Sequence, residues 1–135
     1  YGSNQLEVQK DMILKKDKTD INNAVKALNK LNQYNHVQGA ICRNNNIIFE
    51  KKNGTKRMLK KIKKINNSNN GVLVKFPKQK QDSRVDLPTV GLNTLKQCKT
   101  AGLKGIVLKH KKNIFLDKKK SINFANRNKI FILVK

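Results

Sequence analysis

Asp82, Arg84 and Asp86 occupy every second position of QDSRVDLPTVG, Gln81 to Gly91, in a chain whose 31 Lys and Arg face only 8 Asp and Glu. If residues 83–87 are extended, side chains alternate between faces, so these three share one side and Ser83, Val85 and Leu87 take the other. A salt-bridged surface strand is one reading of that pattern. The other is chemical. Two neighbouring carboxylates repel unless a cation lies between them, and a hard divalent ion such as Mg²⁺ or Mn²⁺ takes oxygen ligands of this kind. Asp82 and Asp86 are therefore the candidate metal ligands. Arg84 offers a planar bidentate fork to phosphate oxygens, whereas Lys75 and Lys78 act as point charges. Together these are the parts of a phosphoryl-transfer site, with Asp82, Asp86 and Arg84 as the candidate catalytic residues. Asp82 ranks first because it directly follows the PKQK segment, while Asp86 is held by the rigid Leu87-Pro88.

Such a site needs a scaffold, and the residues before it supply one. Val72-Leu73-Val74 is a short continuous apolar run, the pattern of a strand covered on both faces. Open α/β sheets place ligands beyond the carboxyl ends of such strands. Upstream, Ile21, Ala24, Val25, Leu28 and Leu31 recur at helical spacing behind Thr19 or Asp20, either a good N-cap. Val37 to Arg43 and Ile47 to Glu50 read as a hairpin around Asn44-Asn45-Asn46, a turn that tolerates positive φ. Thr55 can cap a second helix in which Met58, Leu59, Ile62 and Ile65 face inward and Lys56, Lys60, Lys61, Lys63 and Lys64 face water. Beyond the polar segment, Leu95, Cys98 and Ala101 mark a helix ending at Gly102, a natural residue for a left-handed C-terminal position. Ile106-Val107-Leu108 and Ile114-Phe115-Leu116 flank His110 to Asn113, Asp117 caps a last helix carrying Ile122 and Ala125, and Ile130 to Val134 closes the chain as a strand. The order α-β-β-α-β-α-β-β-α-β predicts a single-domain α/β sandwich with a mixed sheet. Residues 1–18 read as an N-terminal extension or linker and 19–135 as the domain. The opening YGSNQLEVQK has neither an initiator Met nor the apolar core of a signal peptide, so it reads as an internal start.

A length of 135 residues fits one domain. No apolar run approaches the roughly 18 to 20 residues of a membrane span, so a soluble chain is expected. The net charge of +23 invites a nucleic-acid reading. Against it, Lys and Asn are spread along the chain as a base-composition bias would also produce, aromatics are 5%, and Trp is absent. Base-stacking modules need those aromatics. Binding to nucleic acid is expected to be non-specific and salt-sensitive. Cys42 and Cys98 form neither a CxxC pair nor a disulfide framework, which suits a reducing cytoplasm, and Cys98 reads as a buried inert thiol. With only His36 and His110, far apart, no zinc site is expected.

The stretch VLVKFPKQKQDSRVDLPTVG, followed by TLKQCKTAGLKGI, resembles the signature of the C-terminal domain of LpxI-type UDP-2,3-diacylglucosamine pyrophosphatases, enzymes of lipid A synthesis in Gram-negative bacteria. Lys75, Pro77, Lys78, Gln81, Asp82, Arg84, Val85, Asp86, Leu87, Pro88, Thr89 and Gly91 all fit the family pattern, and AGLKGI and the final IFILV fit as well. The resemblance implies two domains, of which this chain is similar to the second. It also implies Mg²⁺-dependent hydrolysis of the phosphoanhydride of a UDP-linked diacylated glucosamine to UMP and 2,3-diacylglucosamine 1-phosphate. The implied setting is a cleft shared with an N-terminal domain, in the cytoplasm and peripheral to the inner membrane, with a homodimer left open. On the matching positions, Lys75, Lys78, Gln81 and Thr89 become candidate substrate contacts.

Two departures stand out. Where the family reads Glu-Gly-Thr-Asp after the hairpin, this chain reads Asn53-Gly54-Thr55-Lys56, which puts positive charge at a helix end that favours anions. Gly54 and Thr55 stay available for backbone and hydroxyl contacts to a phosphate. Where the family reads Val-Gly-Gln-Ala, this chain reads Val37-Gln38-Gly39-Ala40. An inactive relative that binds a sugar nucleotide, and a basic nucleic-acid-binding module, are the alternative readings.

Overall fold

The structure is a computed structural model and describes residues 7–31, 37–51, 54–62, 70–76, 89–109 and 114–135. In chain order the elements are α1 (Lys15–Lys30), β1 (Gly39–Arg43), β2 (Asn46–Phe49), α2 (Gly54–Lys60), β3 (Val72–Lys75), β4 (Thr89–Val90), α3 (Leu92–Thr100), β5 (Gly105–Leu108), β6 (Ile114–Phe115), α4 (Lys118–Asn128) and β7 (Phe131–Val134), with a 3-10 turn at Lys10–Met12. The expected order holds, with β4 added.

Asn44 and Asn45 have φ of 51° and 67°. Two consecutive left-handed residues match the twist of the flanking strands, so β1 turns directly into β2, Arg43 opposite Asn46 and Ala40 opposite Phe49. Both turn side chains are tethered, Asn44 accepting from Asn70 Nδ2 at 2.9 Å and Asn45 from Asn23 Nδ2 at 3.1 Å. β3 runs antiparallel to β1, and β5 and β7 then add in parallel, giving the order β2-β1-β3-β5-β7. A sheet that grows in one direction returns each crossover on the same face. Accordingly, Ile41, Leu73, Ile106 and Ile132 pack with residues of α2, α3 and α4, while Cys42, Val72, Val74, Val107 and Phe131 pack with Ile21, Ala24 and Leu28 of α1. β3 is buried at all four positions, as its apolar run required. Gly105 lies beside Phe131, whose ring a Cβ there would strike, so the glycine makes room for a fully buried aromatic.

α3 ends as expected. Gly102 has φ of 76°, and Leu103 N donates to Cys98 O while Gly102 N donates to Lys99 O, the paired bonds that satisfy orphan carbonyls at a glycine-terminated helix.

Four local expectations are corrected. α1 begins at Lys15, ahead of Thr19 and Asp20. Leu14 at its N-cap has no side-chain acceptor, and Asp17 reaches back so that Leu14 N donates to its Oδ2 at 2.9 Å. Thr55 lies inside the first turn of α2, which starts at Gly54, and its hydroxyl serves another purpose. Asp117 stands before α4 with φ of 49° and makes no side-chain cap bond. β6 does not return along β5; it pairs in parallel with β4, Thr89 opposite Ile114. Ile65 lies outside the described residues.

The first described segment joins the last strand. Val8 N donates to Ile132 O and Ile132 N to Val8 O, both at 2.9 Å, and Val8 is buried in the core.

Candidate functional site

At the carboxyl end of β3 the buried side chains of Lys75 and Glu50 meet the half-buried Thr55. The pairing register sets Lys75 opposite Gly39, and Glu50 N donates to Gly39 O at 2.9 Å, so Glu50 and Lys75 lie on either side of Gly39 in one row of the sheet. Two strand spacings of about 4.8 Å each separate their backbones. Both side chains therefore extend over Gly39 to meet. A Cβ at Gly39 would lie 3.0 Å from Lys75 Cδ and 3.8 Å from Glu50 Oε1, so the absence of a side chain there leaves the space they use.

Lys75 Nζ donates to Glu50 Oε1 at 2.9 Å and to Thr55 Oγ1 at 2.7 Å, and Thr55 Oγ1 in turn donates to Glu50 Oε1. Lys75 is 5% exposed and Glu50 6%. Three elements, the end of β2, the first turn of α2 and the end of β3, are thus joined by side chains alone. A buried ammonium needs a counter-charge and hydrogen-bond acceptors, and this cluster supplies both. Gly54, with φ of 86° and open space where a Cβ would stand, starts α2 beside it. A cavity of about 90 Å³ bounded by Gly54, Met58, Lys51, Arg57 and Lys61 adjoins this corner. A cavity of about 540 Å³ between Lys10, Ile13, Lys18, Ile21, Leu133 and Lys135 opens on the α1 side and contains none of the candidate residues.

Immediately after this cluster the chain enters Pro77 to Pro88, the segment of the Asp-x-Arg-x-Asp pattern. The family model of the LpxI C-terminal domain matches residues 5–133. The chain belongs to the LpxI C-terminal domain family. It is also 31% identical over 122 residues to the UDP-2,3-diacylglucosamine pyrophosphatase LpxI of Caulobacter vibrioides, an alignment covering 84% of this chain and 44% of that protein. The chain thus spans less than half the length of this LpxI relative.

Within this LpxI C-terminal domain the structure brings Lys75, Thr55 and Gly54 to one corner. Thr89 is exposed in β4, paired with β6. Lys78, Gln81, Asp82, Arg84 and Asp86 lie outside the described residues, and so does Asn53. Among the described residues no group of three or more His, Cys, Asp or Glu could hold a metal ion. Glu50 is the residue that sequence reasoning passed over as the end of a strand. Its signal was there: one of 8 acids, alternating in phase with Ile48 and followed at once by Lys51-Lys52.

The other titratable groups of the interior lie on the α1 side or in the helical layer. Asp20 is 2% exposed; burial raises its pKa above the ordinary carboxyl value, only partly opposed by the Cys42 thiol, which donates to Oδ1 at 3.5 Å. Its Oδ2 has no hydrogen-bond partner among the described residues. Burial, with the nearby Asp20 charge, pushes the Cys42 thiol up to about 11, and burial alone pushes Cys98 to about 12. Neither is a thiolate nucleophile near neutral pH, in keeping with the inert reading of Cys98.

Proposed function

We propose that this chain is the C-terminal, substrate-handling half of a UDP-2,3-diacylglucosamine pyrophosphatase of lipid A synthesis. Water attacks one phosphorus of the phosphoanhydride, the bridging oxygen leaves with the other phosphorus, and UMP and 2,3-diacylglucosamine 1-phosphate are released. The observation that carries this reading is a coincidence of place. The family's motif begins at the carboxyl end of a buried central strand, where α/β sheets accept ligands, and at Lys75, a lysine held in a buried polar cluster.

The donor set for Mg²⁺ is the Asp82 and Asp86 carboxylate pair, oxygen ligands of the kind a hard divalent ion takes. When bound, the ion would offset the charge that develops on the phosphate oxygens. Arg84, Lys75 and Lys78 hold phosphate oxygens, with Arg84 binding two at once. Gln81 and Thr89 orient the substrate from the same segment, and Thr55 contributes its backbone N–H, because Gly54 N donates to Lys51 O at 2.9 Å. Thr55 gives its hydroxyl proton to Glu50, so its backbone is the part left to a ligand. Because the substrate carries two acyl chains, the enzyme works at the cytoplasmic side of a Gram-negative inner membrane. Phosphoryl transfer rests on positioning and charge stabilisation, and the cleft is completed by the other half of the protein.

The test is UMP release from the diacylated UDP-glucosamine with Mg²⁺, comparing the full-length protein, residues 1–135 alone and full-length Asp82→Ala. The full-length protein is expected to be active and the fragment inactive, with Asp82→Ala losing roughly 10²- to 10³-fold in rate at unchanged circular dichroism. Full activity in Asp82→Ala overturns the catalytic assignment. A full-length protein that binds UMP but releases none is the inactive relative.

A further inference from the structure

We infer that Glu50 is a positioning residue of this site, acting through Lys75: its carboxylate fixes where the Lys75 ammonium is presented at the end of β3. The inference rests on the pyrophosphatase reading and gives a role to a residue which that reading leaves idle.

Three observations carry it. First, the pair is expensive to keep. A buried ion pair at this depth is often no more stabilising than apolar residues of the same volume, so stability alone is a weak reason for Lys75 and Glu50 to stand where an apolar row would pack. Second, the neighbours are arranged around the pair. Gly39 provides the space over which the two side chains meet, and Thr55 bonds both ends, accepting from Lys75 and donating to Glu50. The ammonium is therefore held by two oxygens from different elements, which fixes its place more tightly than one partner would. Third, the pair stands where the candidate catalytic segment departs, one residue before Phe76 and two before Pro77. A shift of about 1 Å in a positioned charge can cost roughly 100-fold in rate. Glu50 is the acidic group that sets this position.

The test uses the full-length protein with two readouts. In the first, Glu50→Gln, of the same size but uncharged, is expected to lower kcat for UMP release roughly 10- to 100-fold while KM changes less than about threefold. In the second, an amine-reactive acylating reagent labels lysines and mass spectrometry reads Lys75 against Lys104, an internal reference in a different ion pair. Glu50→Gln is expected to raise the Lys75 to Lys104 ratio several-fold at unchanged circular dichroism. Should Glu50→Gln fold poorly, Glu50→Asp keeps the counter-charge but draws it back by one methylene, and it is expected to fold yet stay impaired. Wild-type activity in either variant, or an unchanged labelling ratio, overturns the inference and leaves the pyrophosphatase reading standing. Absence of UMP release from the wild type overturns both.

Discussion

Two lysine–carboxylate pairs at opposite ends of the sheet have the same 2.9 Å separation and different surroundings. At the amino end of β5, Lys104 meets Asp17, whose Oδ2 also accepts from Leu14 N and so closes the start of α1. That carboxylate supports a backbone donor that would otherwise lack a partner, a structural task found at many helix starts. At the carboxyl end of β3, Glu50 meets the first turn of α2 through a hydroxyl, the side chain of Thr55. It joins Lys75 and Thr55, and every bond in that triangle is between side chains. The side chain of Lys104 is 15% exposed and that of Lys75 6%. Distance alone therefore says little about what an ion pair is for; what else its oxygens hold, and which end of the sheet it occupies, says more.

The contrast can be broken by experiment. Removing one partner from the drier pair should do the most harm: Glu50→Ala leaves Lys75 buried without its counter-charge and is expected to cost about 3–5 kcal/mol, read from the shift in denaturant midpoint. Asp17→Ala, at the wetter end, should cost about 2–3 kcal/mol, part of it from the lost helix cap. An Asp17→Ala loss equal to that of Glu50→Ala would erase the distinction in depth. Replacing both partners sharpens the comparison. Lys104→Met/Asp17→Asn should keep stability within about 1 kcal/mol of wild type and keep UMP release, whereas Lys75→Met/Glu50→Gln should keep the fold and lose activity. Equal activity in the two double variants would make both pairs structural.

The smallest effect concerns Asp20, the third buried acid of the interior. Its folded pKa lies above the ordinary value of 3.8, so ionising it destabilises the fold: the penalty is absent at low pH and grows as pH rises through the folded value. Asp20→Asn should therefore match wild type in stability near pH 3 and exceed it near pH 7 by about 1 kcal/mol, since the buried oxygen that lacks a partner need no longer carry charge. A stability difference that shrinks with rising pH would reverse the sign of this argument.

Much of the fold was legible because its signals are local. Asn44-Asn45 announces a tight turn, Gly102 a helix end, and Val72-Leu73-Val74 a doubly covered strand, each from a few adjacent residues. What escaped depends on partners far along the chain. Leu14 is a poor N-cap by type, and the start of α1 is visible only once Asp17 is seen to reach back to it. β4 is two residues long, too short for periodicity, and the run Ile114-Phe115-Leu116 reads as a strand without revealing that its partner is β4. Glu50 became a site residue only when the register placed Gly39 between it and Lys75, 25 positions away. The Asp82, Arg84 and Asp86 pattern was the opposite case: its residue types suggest a chemistry, and it lies outside the described residues.

The bridge between Val8 and Ile132 carries a consequence for how the protein is made. Val8 completes its backbone hydrogen bonds only once Ile132, far along the chain, has left the ribosome. Until Phe131 to Val134 arrive, β5 is an open edge with a buried row, Ile106 to Leu108, facing empty space. Any chain that has not yet made β7 would expose that edge to aggregation. The net charge of +23 would act in that interval as a kinetic safeguard, since mutual repulsion keeps half-built copies apart.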